Sequence, residues 1–211
     1  MDLGEFGAEW ATVAVVGVFA VTSPGPDMLV TLRSSLTGSS RSGIYTALGI
    51  ALGLVWHTTY SLLGLAVLVS QSVTVFTVLK FIGAAYLVYV GWRSLRAERP
   101  DLAVGTASRG LTDREAFRMG LLTNLTNPKV TLFFLALFTQ VIDADTPSVA
   151  KALYGGTVIA ISTAWFGFLA TIAGHAAVRR RLQAWMQWVE RVAGMLFIGL
   201  GVRLALTRAA R

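Results

Sequence analysis

The chain has no cysteine, two histidines and five prolines among its 211 residues. Without cysteine there is no thiol redox chemistry, no thiolate metal site and no disulfide. Charge is scarce as well: 14% of residues are Asp, Glu, Lys or Arg, against roughly 25% in soluble domains. With 55% hydrophobic residues and a mean hydropathy of +0.64, most of the surface cannot face water. No Ser/His/Asp arrangement or zinc motif marks a hydrolase, and nothing calls for a cofactor, so the chain does not read as an enzyme. The acidic start, with Asp2, Glu5 and Glu9, lacks the basic region that opens a signal peptide, so the first apolar run is expected to be retained.

The net charge of +7 does not point to nucleic acid, because no basic stretch has the length or aromatic interleaving of a binding arm. In a membrane protein the same excess gathers in cytoplasmic loops. Apolar runs of about 20 residues recur, each long enough to cross a bilayer core of about 30 Å. Six spans can be drawn: Trp10 to Leu36, Gly43 to Val69, Val75 to Leu95, Phe117 to Ile142, Ala150 to Val178 and Trp185 to Leu206. Arg33 and Arg41, the arginines from Arg93 to Arg118, and Arg179 to Arg181 fall in alternate loops, which should be cytoplasmic. The opposite loops, around Ser70 to Thr74 and Asp143 to Ser148, lack cations or are acidic. Both termini are then expected outside, although Arg208 and Arg211 pull mildly the other way.

Two spans are interrupted. The first carries Ser23-Pro24-Gly25-Pro26-Asp27, residues a soluble protein places in a turn. Within a bilayer, such backbone is tolerated only against protein or a water-filled cavity. Pro26 suits the first position of a new half-helix, Gly25 its cap and Asp27 its second residue, where the helix dipole favours a carboxylate. The fourth span carries Asn127-Pro128-Lys129, with Asn127 as cap and Pro128 at the first helical position. Lys129 then faces the positive end of its own helix dipole, at a depth of about 16 Å into the span at 1.5 Å per residue. A lysine there costs on the order of 3 kcal/mol. Asp27, a substrate carboxylate, or alternation between the two would compensate it.

The two breaks fall at corresponding places in two halves. The third span, Leu79 to Arg93, also lies over the sixth, Val189 to Arg203, with Gly91 on Gly201 and Arg93 on Arg203. Each half reads as three spans with the first one broken, and an odd number inverts the second half. The expectation is an all-α membrane protein of six transmembrane helices in two inverted three-helix repeats, with helices 1 and 4 broken. Its parts are a first repeat over 1–95, a cytoplasmic loop over 96–116 and a second repeat over 117–211.

These residues resemble the lysine exporter and homoserine/threonine resistance (LysE/RhtB) family of amino-acid exporters. The resemblance rests on Ser-Pro-Gly-Pro at 23–26 and on the pattern Gly38, Arg41, Gly43, Gly49, Gly53. It extends through Gly83 to Arg93, Phe117-x-x-Gly120, Asn124, Asn127-Pro128-Lys129 and Phe133-Phe134. At the outer end of the fourth span the family often has Pro-Gln-Phe-Val, where this chain has Thr139-Gln140-Val141-Ile142. The resemblance implies proton-driven efflux of amino acids or close derivatives across a bacterial inner membrane.

Substrate binding and gating are expected from Pro24, Gly25, Pro26, Asp27, Asn124, Asn127, Pro128 and Lys129. Asp27 and His57 are the candidates for proton coupling. Gly49, Gly53, His57 and Tyr60 share one helical face, so His57 is either a proton relay or a histidine hydrogen-bonded within the bundle. The Gly49-x-x-x-Gly53 pair permits close helix packing, within the chain or in a homo-oligomer. His175 and the tryptophans at 56, 92, 185 and 188 suit the membrane interface, and Trp165 either lines the pathway or packs. The alternative function is a metal-ion exporter, for which Asp27, His57 and Asn127 would be the only intramembrane ligands. Asp27 as the one clear intramembrane acid leans the substrate towards neutral amino acids.

Overall fold

The computed structural model describes residues 3–71, 73–96, 111–137, 146–173 and 175–206. Eight helices account for nearly all of these: α1 (Leu3–Thr22), α2 (Pro26–Thr37), α3 (Ser40–Gln71), α4 (Val73–Leu95), α5 (Asp113–Leu125), α6 (Pro128–Ala136), α7 (Ser148–Ile172) and α8 (Ala176–Leu206). Asp2, most of the arginine-rich segment expected as a central loop, Thr139 to Asp143, and the tail with Arg208 and Arg211 lie outside the described residues.

The bundle buries an apolar core, with Val13, Met28, Ile50, Phe134 and Phe197 in it, and also exposes many large apolar side chains. Trp56, Leu63, Phe81, Ile82, Val149 and Trp188 are all more than half exposed. Its interior holds Thr31, Ser34, Thr46, His57, Asn124 and Ser162, each at most 1% exposed. A water-soluble protein rarely exposes so many large apolar side chains together. In lipid this distribution costs nothing outside and lets the interior satisfy polar groups helix to helix. Stretches of α1 (Gly4–Thr22), α3 (Ser40–Leu63) and α7 (Ser148–Ile172) are each long and apolar enough to cross a membrane.

Small residues set the closest crossings. A Cβ on Gly49 would strike the carbonyl of Phe117, and one on Gly120 the carbonyl of Thr46, so α3 and α5 touch backbone to backbone. The Gly49/Gly53 face is thus filled by α5 of the same chain. α4 and α8 meet in the same way, Gly91 against Gly194 and Gly201 against the Ala84 carbonyl. Thr46 adds polar ties, donating to Ser34 Oγ at 2.8 Å and lying 3.2 Å from the Ala116 carbonyl. At one end, Arg41 and Asp113 pair at 2.8 Å, beside a capping box that starts α5: Thr112 accepts from the Glu115 N–H, and Glu115 accepts from the Thr112 N–H.

Two sequence boundaries shift. Arg179 to Arg181, expected in a loop, lie within the first turns of α8, where arginine is a good helix former. Asp113 to Ala116, assigned to the central loop, form the first turn of α5.

Candidate functional site

α1 ends at Thr22 and α2 begins at Pro26, so Ser23-Pro24-Gly25 is the non-helical link between them. Gly25 is the N-cap of α2 in an extended conformation, with φ −179° and ψ −176°. It supplies no side-chain cap, which leaves the first backbone N–H groups of α2 open. α5 ends at Leu125 and α6 begins at Pro128. Here Asn127 is a working cap, its Oδ1 accepting from the Lys129 N–H at 3.0 Å. The first turn of α6 lies against the Ser23-Pro24-Gly25 link.

That contact is made by Lys129. Its Nζ donates to the carbonyl of Ser23 at 2.9 Å and to that of Pro24 at 3.3 Å. Among the partners foreseen for this lysine, Asp27 does not form a direct ion pair with it. The carbonyls just past the last turn of α1 take that place, at the negative end of the α1 dipole. The unfavourable dipole of α6 is thus offset by a favourable one from α1. A Cβ on Gly25 would rest 3.6 Å from Nζ, in ordinary contact, so the link lies along the lysine side chain.

Asp27 is buried, at 6% exposure. Its Oδ2 accepts from Asn124 Nδ2 at 2.8 Å, while Oδ1 has no hydrogen-bond partner. Asn124 Oδ1 is likewise unpartnered. Buried polar atoms without partners are rare and mark places where a water or ligand group fits. Asn124 thus joins the two links by holding the carboxylate of α2 from the end of α5.

His57 lies beneath this joint. Its Nε2 is 3.1 Å from the Asn124 carbonyl and its Nδ1 3.1 Å from the Tyr60 hydroxyl. A carbonyl only accepts, so Nε2 carries the hydrogen and the neutral ring accepts from Tyr60 at Nδ1. The ring also stacks on Phe134, with centroids 5.9 Å apart.

One acid at the site was missed in the sequence. Glu190 of α8 accepts from Ser23 Oγ and from Ser94 Oγ, each at 2.8 Å. It borders the same cavity as Lys129. No local signal marks it, since its serine partners are 167 and 96 residues away. The remaining candidates lie elsewhere. His175 is exposed near the end of α7. Trp165 packs between Phe168 and Trp185. Among the described residues no group of three His, Cys, Asp or Glu side chains could hold a metal ion.

Two cavities open on the joint. One is lined by Asp27, Lys129, Phe133, Phe134, Ser162 and Phe166, among others. The other is lined by Pro24, Pro26, Arg93, Asn127, Lys129 and Glu190, with Tyr86 and Tyr89. Gly25 and Lys129 border both.

The LysE type translocator family matches residues 18–208, which include every element of this joint. The threonine efflux protein of Escherichia coli K12 is 29% identical over 200 residues, covering 93% of this chain and 97% of the relative. The homoserine/homoserine lactone efflux protein of Salmonella typhimurium LT2 is 31% identical over 211 residues, covering 95% and 98%. The membrane protein YahN of Escherichia coli K12 is 32% identical over 197 residues, covering 92% and 88%. No solved structure matches the chain. The chain therefore belongs to the LysE type translocators and is a membrane transporter, not an enzyme.

Proposed function

We propose that the protein exports neutral amino acids, or close derivatives, across a bacterial inner membrane by proton antiport, at the joint between the two interrupted helices. Lys129 on the Ser23 and Pro24 carbonyls is the observation that carries this reading. A lysine held by neutral carbonyls keeps its charge available. A carboxylate is a better partner than a carbonyl, because it meets the ammonium with a full opposite charge instead of a dipole. The uncapped N–H groups of α2 favour the same anion. Asp27 Oδ1, buried and without a partner, suits the ammonium group of a zwitterion or a proton.

The relatives' names, for threonine efflux and for homoserine or homoserine lactone efflux, point to the same substrate class. Asp27 and Glu190 are matched at the joint by Lys129 and Arg93, a balance of charge that suits a zwitterion.

The inverted arrangement is part of the proposal. α1 with α2, α3 and α4 make one half, and α5 with α6, α7 and α8 the other. In support, α3 packs on α7 and α4 on α8, contacts between helices that a two-fold axis in the membrane plane would exchange. Both termini lie outside in this arrangement. Of the two roles open to His57, the geometry favours a tie that fixes the α5–α6 link, since both ring nitrogens are engaged. Proton coupling then falls to Asp27.

Counterflow in proteoliposomes, with a panel of labelled amino acids and an imposed pH gradient, tests the reading. Exchange of a neutral amino acid, and its accumulation against a gradient when protons flow the other way, is the expected result. No exchange of any amino acid would overturn it.

A further inference from the structure

We propose that Glu190 is a second station for the substrate's ammonium group, on the opposite side of Lys129 from Asp27. The inference rests on the transport reading above and extends it from one site to a two-step path.

Three observations carry it. First, Lys129 borders both cavities, while Asp27 lines one and Glu190 the other. Second, both carboxylates are oriented by neutral donors that leave acceptor capacity free. Asp27 is held through Oδ2 by Asn124. Glu190 takes one serine hydroxyl on each oxygen, which leaves a lone pair on each. Third, Tyr86 lines the Glu190 cavity beside Tyr89, whose own ring already faces the Arg93 guanidinium at 5.9 Å. Aromatic faces attract a desolvated ammonium through their quadrupoles.

These positions suit a substrate with both charges. Its carboxylate can stay on Lys129 while its ammonium moves from Glu190 to Asp27. Lys129 would be the pivot and the Ser23-Pro24-Gly25 link the partition. Ser23 serves both sides, with its carbonyl on Lys129 and its hydroxyl on Glu190. Filling one cavity therefore bears directly on the link that closes the other. With both termini outside, the Glu190 cavity is the cytoplasmic one, near the Arg93 end of α4, and Glu190 meets the substrate first.

The test compares the full-length protein with Glu190→Gln and Glu190→Asp in proteoliposomes. The probes are the amino acid exchanged fastest in a panel that includes L-threonine and L-homoserine, and the 2-hydroxy acid that carries a hydroxyl in place of its ammonium. The readout is the ratio of Vmax/KM for the two compounds. Loss of a charge-assisted bond should cut the wild-type preference for the amino acid at least about tenfold in Glu190→Gln. Glu190→Asp should restore part of it. An unchanged ratio, or an equal fall for both compounds in both variants, would overturn the role of Glu190. A wild-type chain that exchanges no amino acid would overturn the transport reading itself, and the two failures are told apart by the wild-type arm.

Discussion

Lys129 is the second residue of α6, yet its ammonium is bound to the carbonyl of Ser23, 2.9 Å away just past the end of α1. Two helix termini of opposite dipole share one cation. This explains how a lysine is held at the centre of a bundle whose outward face is apolar. It also defines what a substrate must do, which is to offer Lys129 something better than two neutral oxygens.

Asp27 is the carboxylate on the other half of the joint. Asp27→Asn keeps the shape and the Asn124 contact but removes the charge and the proton site. Counterflow exchange should persist at a reduced rate. Accumulation driven by a pH gradient should disappear, as measured by labelled amino acid uptake in the same vesicles. Gradient-driven uptake equal to wild type would leave Asp27 a helix-opening residue and nothing more.

His57 is expected to act through structure. His57→Ala removes a buried ring bonded to the Asn124 carbonyl and stacked on Phe134. The loss should lower stability by about 1–3 kcal/mol, read as a fall in the melting temperature of the detergent-solubilised protein. His57→Gln retains a donor and should recover most of it, with the pH dependence of transport unchanged. A flattened pH profile in His57→Gln would make the histidine a proton carrier after all.

The glycines separate by position. Gly49→Val would drive a side chain into the backbone of α5 at Phe117, so the amount of folded protein in the membrane should fall severalfold. Gly156→Ala, in α7, meets nothing within 4 Å. It should be neutral or stabilise by up to about 1 kcal/mol, because alanine is the better helix former. Quantitative blotting of membrane fractions checks both.

The places where the helices stop were legible because proline and glycine act locally. Pro26 and Pro128 open α2 and α6, and Gly25 and Asn127 stand at the expected N-cap positions. The residues of the joint were legible too, from Asp27 and Asn124 to Lys129. The partner of Lys129 was not, because a backbone carbonyl has no sequence signature and becomes available only where a helix ends. Glu190 was overlooked for a related reason. It sits beside Arg191 near the start of an expected span, and only folding brings Ser23 and Ser94 to it. The glycine face of α3 was visible at helical spacing, whereas its occupant, α5, could not be read from α3 alone.

Lys129→Ala tests the central claim most directly. The variant is reconstituted at matched protein amount and assayed by counterflow of the amino acid that the wild type exchanges fastest. Loss of the charged partner should reduce exchange by at least about 10- to 100-fold, the equivalent of one charge-assisted hydrogen bond, with membrane abundance unchanged. Exchange at the wild-type rate would contradict a substrate site built on Lys129.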